Sequence, residues 1–242
     1  FISEIMFKPL LIVLGEPYSV FSEIIFKTLK LKNKKNNLPI IFIGSSSLLS
    51  KQMGKLGYKF KINNLKGIKN IKTLYKRNFI NILDVKFNYK NIFDKISTKS
   101  NNYIFKCFEI AINLLKTQKF LGLINGPISK KHLLKKKYFG ITEFLTDKVS
   151  SKNTQMLIFN KNLSVSPITT HLPLKKVTKN INKKKIILNV TQIHNFYKKV
   201  LKREPRIGVL GINPHCETNE KLNEEKKIIE PAVKTLKKRK LK

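Results

Sequence analysis

Short apolar runs alternate with longer amphipathic stretches along this sequence, and that alternation constrains the fold more than any other feature. Buried parallel strands are apolar on both faces and are bounded by Gly, Pro or Asn, as these runs are. Strands are predicted at residues 9–14, 39–43, 120–124, 155–159, 163–168 and 206–210. A weaker strand is predicted at 79–85, inside an irregular Lys- and Asn-rich segment that spans 59–99.

The amphipathic stretches between these runs predict helices at 103–115, 183–201 and 220–236. In the second of them, Ile186, Val190 and Ile193 recur at three- and four-residue spacings, which place them on one face of a helix. Strands that alternate with helices indicate a mainly parallel sheet covered by helices. The sequence therefore predicts an α/β fold, and its 242 residues allow one large domain or two small lobes.

The charge is strongly positive, with 50 Lys and Arg against 14 Asp and Glu, for a formal net charge of +36. Such a balance raises the possibility of a nucleic acid or anionic membrane partner. Only four of the basic residues are Arg, the residue that nucleic-acid readers favour for its bidentate contacts. Lys is spread along the chain together with Asn and Ile, a combination that A/T-rich codons encode. A solvated surface shaped by codon bias is the preferred interpretation, and a nucleic-acid partner is not expected.

The two cysteines, Cys107 and Cys216, form neither a disulfide framework nor a CxxC motif, so a reducing cytosol is expected. The longest apolar runs are too short to span a bilayer, and no membrane partner is expected.

Four loops that follow predicted strands carry the polar residues of interest. In open α/β sheets, ligands bind at the carboxyl ends of the strands, where such loops lie. The loops carry Gly15-Glu16-Pro17, Asn125-Gly126-Pro127, Thr169-Thr170-His171 and Gly211-Ile212-Asn213-Pro214-His215.

His171 and His215 each follow a predicted strand directly, and two imidazoles at neighbouring strand ends can share a divalent metal ion. Each could equally cap a turn or bond a backbone carbonyl. Of the other histidines, His194 lies on the patterned helix and is interpreted as a satisfied core or boundary residue. His132 begins a Lys-rich helix and is interpreted as a surface residue.

Asn125-Gly126-Pro127, followed by Lys130, is similar to a phosphate cradle, in which free backbone N–H groups and a lysine meet at a helix start. Neither a Walker A pattern nor a GxGxxG fingerprint is present, so a standard nucleotide site is not supported.

Taken in order, several segments resemble the 4-hydroxythreonine-4-phosphate dehydrogenases from about residue 11 to residue 236. The segments are Gly15-Glu16-Pro17, Asn125-Gly126-Pro127, Thr142-Glu143-Phe144, Thr169-Thr170-His171-Leu172-Pro173-Leu174, Glu204-Pro205-Arg206-Ile207 and Asn213-Pro214-His215. The resemblance implies a three-layer α/β/α fold like that of the isocitrate and isopropylmalate dehydrogenases, formed by residues 1–242 in two lobes, and a homodimer.

It also implies a divalent metal ion (Zn, Mg, Co or Mn) held by three histidines, of which His171 and His215 would be two. The substrate would contact Asn125, Lys130, Ile141 and Thr142; no residue is assigned a catalytic role. The implied reaction is NAD- or NADP-dependent oxidation of 4-phosphooxy-L-threonine to 2-amino-3-oxo-4-phosphooxybutanoate. This product loses CO2 to give 3-amino-2-oxopropyl phosphate, in the cytoplasmic synthesis of pyridoxal phosphate (vitamin B6).

Three departures from the family pattern keep alternatives open. After Gly15-Glu16-Pro17, this chain has Tyr18-Ser19-Val20-Phe21 in place of the family's small, Gly-rich run. The family's third metal histidine belongs to a later segment, so the fold is expected to be incomplete at its C-terminus. The family also has His before the Thr of Thr142-Glu143, where this chain has Ile141. The alternatives are a sister dehydrogenase of a phosphorylated threonate or erythronate, and an inactive remnant or basic binding protein.

Overall fold

The computed structural model describes residues 8–31, 38–67, 70–134, 137–138, 140–149, 154–212 and 223–239. The chain divides into two compact units, residues 1–150 and 151–242. Among the described residues, no helix combines the length and the apolar character needed to cross a bilayer.

The first unit is built on five parallel strands. They are β1 (Leu10–Val13), β2 (Ile40–Gly44), β3 (Ile62–Asn64), β4 (Ile80–Asp84) and β5 (Gly122–Asn125). Their order in the sheet is β3-β4-β2-β1-β5. Leu10 of β1 pairs with Ile40 on one side and with Gly122 on the other, so the central strands are hydrogen-bonded on both edges.

The helices of this unit are α1 (Phe21–Leu31), α2 (Ser46–Lys55), α3 (Ile71–Leu74), α4 (Asn101–Lys116) and α5 (Ile141–Val149). A short 3-10 turn, Thr98–Ser100, precedes α4, and a single π-helical turn, Lys130–Leu134, follows β5. Helix α2 begins where the side chain of Ser45 accepts the Leu48 N–H, as serine does at a helix N-cap.

Successive residues of a strand point to opposite faces of the sheet, and in these strands both sets are apolar. Helices therefore cover both faces. Leu11, Val13 and Ile41 pack with Ile104 and Phe108 of α4 on one face. On the other face, Phe42, Ile80 and Ile82 pack with residues of α1 and α2. The predicted three-layer α/β/α fold with a mainly parallel sheet is therefore confirmed.

The second unit contains α6 (Leu174–Val177), α7 (Lys183–Lys199), a π-helical turn (Glu225–Ile229) and α8 (Glu230–Lys238). Ile186 and Val190 of α7 pack with Ile229, Ala232 and Leu236 in a small core of its own.

The strands predicted at 155–159, 163–168 and 206–210 are wrong, since none of these segments is a regular strand. A strand requires a hydrogen-bonded neighbour, and apolar patterning does not supply one. The described residues provide a single antiparallel bridge, in which Ile158 and Val165 exchange N–H···O bonds of 2.8 and 3.0 Å. The segment 206–210 packs Ile207 and Val209 against the second unit's core without joining a sheet.

Candidate functional site

Two loops interlock at the carboxyl ends of β1 and β5 in the first unit. The Glu16 N–H donates to the Pro127 carbonyl at 2.8 Å, and the Gly126 N–H donates to the Val13 carbonyl at 2.7 Å. Gly15 has a φ of +71°, and a Cβ at that position would lie 2.4 Å from the Pro127 oxygen. A Cβ on Gly126 would lie 2.3 Å from the Leu14 oxygen. Glycine is therefore required at both positions by close backbone approach.

This junction is a topological switch point. The chain leaves β1 toward α1, on the face of the sheet that α1 and α2 cover. It leaves β5 toward Leu133 and Leu134, which pack on the face that α4 covers. Adjacent strands whose loops diverge in this way open a crevice, where open α/β sheets bind ligands.

Glu16 carries a carboxyl group that is only 3% exposed at this junction. Its Oε2 accepts a hydrogen bond from the Ser100 hydroxyl at 2.9 Å, and its Oε1 has no partner among the described residues. Burial raises the pKa of Glu16 above its usual 4.5. The Ser100 hydroxyl, the Tyr18 backbone and the nearby His132 offset part of that rise.

The interpretation of His132 as a surface residue is wrong, because its side chain is half-buried beside this junction. Its Nδ1 lies 2.9 Å from the Ser129 hydroxyl, and its carbonyl accepts a hydrogen bond from the Asn101 side chain at 2.9 Å. Ser100 and Asn101 thus join the start of α4 to both the Glu16 loop and the turn after β5. No local pattern indicated this, since Glu16 and Ser100 are 84 residues apart.

The residues predicted to bind a phosphorylated substrate in this unit are distributed as follows. Lys130 is exposed at the start of the π-helical turn, and Asn125 is half-buried, with its amide donating to the Gly126 carbonyl at 3.1 Å. The Gly126 N–H, expected to be free for a phosphate, is bonded to β1. A cradle at this loop would thus depend on Lys130 more than on the Gly126 N–H.

Ile141 and Thr142 begin α5 and differ in exposure. Ile141 is half-buried and packs against the core formed with α4. Thr142 is exposed, and its backbone carbonyl accepts a hydrogen bond from the Thr146 hydroxyl at 2.8 Å. Of the two, only Thr142 presents a polar side chain to solvent.

His171, in the second unit, is exposed and has a φ of +54°. Left-handed backbone is strained for residues other than glycine and is concentrated at functional sites. The segment before it is held by Gln155, whose amide donates to Ser166 Oγ and to the Pro167 carbonyl, each at 3.0 Å.

His215 and Cys216 lie outside the described residues, as does the Asn213-Pro214 pair. Among the described residues, no three His, Cys, Asp or Glu side chains form a group that could hold a metal ion. The imidazole of His171 is exposed, so it is accessible from solvent.

His194 is buried, as expected for a core histidine, but it is not satisfied as predicted. It is 5% exposed, and its Nδ1 has no hydrogen-bond partner among the described residues. Helical periodicity predicts which face of α7 is buried, whereas the partner of a ring nitrogen depends on what packs against that face.

The chain is similar to a known protein family and to several of its members. The family model of the pyridoxal phosphate biosynthetic protein PdxA matches residues 35–242. A 4-hydroxythreonine-4-phosphate dehydrogenase from Sulfurihydrogenibium sp. is 35% identical over 233 residues, which cover 94% of this chain and 70% of that protein. A D-threonate 4-phosphate dehydrogenase from Salmonella typhimurium is 25% identical over 232 residues, covering 93% of this chain and 70% of that protein.

Solved structures agree on the fold. A 4-hydroxythreonine-4-phosphate dehydrogenase from Burkholderia phymatum superposes with a TM-score of 0.82 at 24% identity, over 97% of this chain and 72% of that one. The enzyme of the same name from Klebsiella pneumoniae gives a TM-score of 0.79 at 22% identity, over 97% and 73%.

The fold and the matched relatives define an α/β oxidoreductase. The chain belongs to the PdxA family of dehydrogenases.

Proposed function

We propose that this enzyme oxidises 4-phosphooxy-L-threonine with NAD or NADP, in the synthesis of pyridoxal phosphate in the cytoplasm, as a homodimer. The oxidised product, 2-amino-3-oxo-4-phosphooxybutanoate, then loses CO2 to give 3-amino-2-oxopropyl phosphate. The observation that carries the proposal is the 35% identity to a 4-hydroxythreonine-4-phosphate dehydrogenase, against 25% to a D-threonate 4-phosphate dehydrogenase.

The residues of the first unit supply charge and hydrogen bonds for the phosphate. Lys130 places an ammonium group at the surface where the chain leaves β5, and a lysine acts on a phosphate as a point charge. Thr142 offers an exposed hydroxyl that can donate to a phosphate oxygen.

His171 and His215 would hold the divalent metal ion. Such an ion, when bound, polarises substrate oxygens and stabilises the negative charge that develops during oxidation and loss of CO2.

The nicotinamide cofactor is not assigned to the loop after β1. That loop is closed by the hydrogen bond between Glu16 and Pro127, and its Gly15 is not part of a GxGxxG fingerprint. We therefore assign no dinucleotide contact to it.

The second candidate is oxidation of D-threonate 4-phosphate, the substrate in the name of the relative from Salmonella typhimurium. Ile141 packs against the core and can neither donate nor accept a side-chain hydrogen bond, so the substrate contact that the resemblance assigns to a histidine at this position would be absent. Losing such a contact weakens binding of the substrate that uses it by about 0.5–1.5 kcal/mol.

A substrate panel tests the two candidates. The purified protein is assayed with each phosphorylated acid, NAD or NADP, and Zn, Mg, Mn or Co, by the absorbance of the reduced cofactor. We expect kcat/KM to be higher for 4-phosphooxy-L-threonine, and Ile141→His to raise it roughly 2- to 10-fold. A higher kcat/KM for D-threonate 4-phosphate would establish the second candidate instead.

A further inference from the structure

A small cavity lies beside the switch-point junction, between the loop after β1 and helices α1 and α2. Its volume is about 20 Å³, and its apolar walls are Leu14, Phe21, Leu48 and Leu49. Glu16 and Ser22 also line it. A cavity of this size accommodates a single water molecule, provided that the walls offer polar partners.

Glu16 and Ser22 offer such partners. Glu16 is 3% and Ser22 is 8% exposed, so both side chains are more than nine-tenths buried. Glu16 Oε1 and Ser22 Oγ have no hydrogen-bond partner among the described residues, and they are not bonded to each other. Buried polar atoms are almost always hydrogen-bonded, to protein or to ordered water.

The other polar side chains that line the cavity are already engaged. The Ser45 hydroxyl accepts the Leu48 N–H, and the Tyr103 hydroxyl accepts the Ser45 N–H at 3.0 Å. The Gln52 amide donates to the Pro17 carbonyl at 2.8 Å and to the Ile92 carbonyl at 3.1 Å. The unmet hydrogen-bonding capacity is therefore concentrated on Glu16 and Ser22.

We propose that this cavity is a binding site for one internal water molecule. The water donates one hydrogen bond to Glu16 Oε1 and forms a second hydrogen bond with Ser22 Oγ. The water thus links the loop after β1 to the first turn of α1. It bonds one oxygen of the Glu16 carboxylate, while Ser100 bonds the other. This site is independent of which substrate the enzyme oxidises.

A crystal structure that resolves ordered water tests the proposal, together with two variants. Ser22→Ala removes one of the two partners, and Thr28→Ala removes an exposed hydroxyl from the same helix, outside the cavity. We expect a density peak within hydrogen-bond distance of Glu16 Oε1 and Ser22 Oγ in the unmodified chain and in Thr28→Ala. In Ser22→Ala the peak should weaken or vanish.

Two crystallographic outcomes would overturn the proposal. One is a direct hydrogen bond between Ser22 and Glu16 with no peak in the cavity. The other is an anomalous peak at the site in crystals grown with rubidium salts, which would show that a monovalent cation binds there. In solution, magnetic relaxation dispersion should count one long-lived water fewer in Ser22→Ala than in Thr28→Ala, and equal counts would contradict the proposal.

Discussion

At the scale of single residues, Glu16 combines a charged group with a buried position. None of the ion pairs formed among the described residues includes it. Those pairs join exposed side chains, such as Lys27 with Glu23 at 2.7 Å. A carboxylate removed from water in this way favours its protonated form unless hydrogen bonds compensate. The Ser100 hydroxyl supplies one such bond.

Glu16 should therefore make stability depend on pH. Burial raises the pKa of Glu16 in the folded state above 4.5, so the folded chain holds the proton more tightly than the unfolded chain. The free energy of unfolding then falls as pH rises from 4.5 through the folded-state pKa. Glu16→Gln has no carboxyl group to lose a proton at this position, so it escapes this loss of stability. We therefore expect the Tm of Glu16→Gln minus the Tm of the unmodified chain to increase with pH.

The control for this prediction is Glu23→Gln, which removes a carboxylate on α1 whose side chain is 41% exposed and pairs with Lys27. Thermal unfolding of both variants is followed from mildly acidic to neutral pH. A Tm difference for Glu16→Gln that stays constant across this range, or declines, would contradict the assigned pKa direction.

His171 allows the role of an imidazole to be separated from backbone strain, because Lys202 has the same φ of 54°. Left-handed backbone costs a non-glycine residue about 1–2 kcal/mol, and substitution by glycine relieves that strain. Glycine also loses more conformational entropy on folding, which offsets about 0.5–1 kcal/mol of the relief. His171→Gly and Lys202→Gly should both leave Tm unchanged or slightly higher. Metal affinity, measured by isothermal titration calorimetry with Zn or Mn, should separate the two variants. We expect His171→Gly alone to lower it, by more than about 10-fold. Equal affinities in the two variants would exclude His171 as a ligand.

At the scale of elements, the junction between β1 and β5 depends on backbone atoms that come closer than any side chain permits. Gly126→Ala places a Cβ against the Leu14 carbonyl, so the two loops must separate. We expect destabilisation of about 1–3 kcal/mol, as for other overpacked sites.

Gly122→Ala is the matched control, since its added Cβ would have Leu10 Cδ1 as its nearest neighbour, at 4.0 Å. Urea unfolding should show little change for Gly122→Ala and a clear loss for Gly126→Ala. Equal midpoints would mean that the loops can move apart without loss of stability.

At the scale of the whole molecule, the net charge of +36 is spread over a chain with few acidic partners. Self-repulsion of such a charge destabilises the compact state, and salt screens it over a Debye length of about 10 Å at 0.1 M. We expect Tm to rise between about 0.02 M and about 0.3 M NaCl. A Tm that falls over this range would indicate that attractive ion pairs outweigh the repulsion.

Much of the first unit, and one helix of the second, follow from the sequence alone. The predicted strands at 9–14, 39–43, 79–85 and 120–124 correspond to β1, β2, β4 and β5, and the predicted helices at 103–115 and 183–201 correspond to α4 and α7. These elements are predictable because their apolar periodicity is a local property of the chain. The loops that end β1 and β5 could also be placed at one edge, since parallel strands share their carboxyl ends.

The tertiary structure decided what depends on distant partners. Residues 155–168 are apolar enough for strands, but a strand forms only where another segment supplies hydrogen bonds, and the described chain supplies one bridge. The pairing of Glu16 with Ser100 and the placement of His132 beside Glu16 likewise arise from packing between separate elements. By itself, the sequence determined which segments are apolar and where glycine and histidine stand. Which of them meet was decided by the packing of the sheet and its helices, because contacts between residues far apart in sequence have no local pattern.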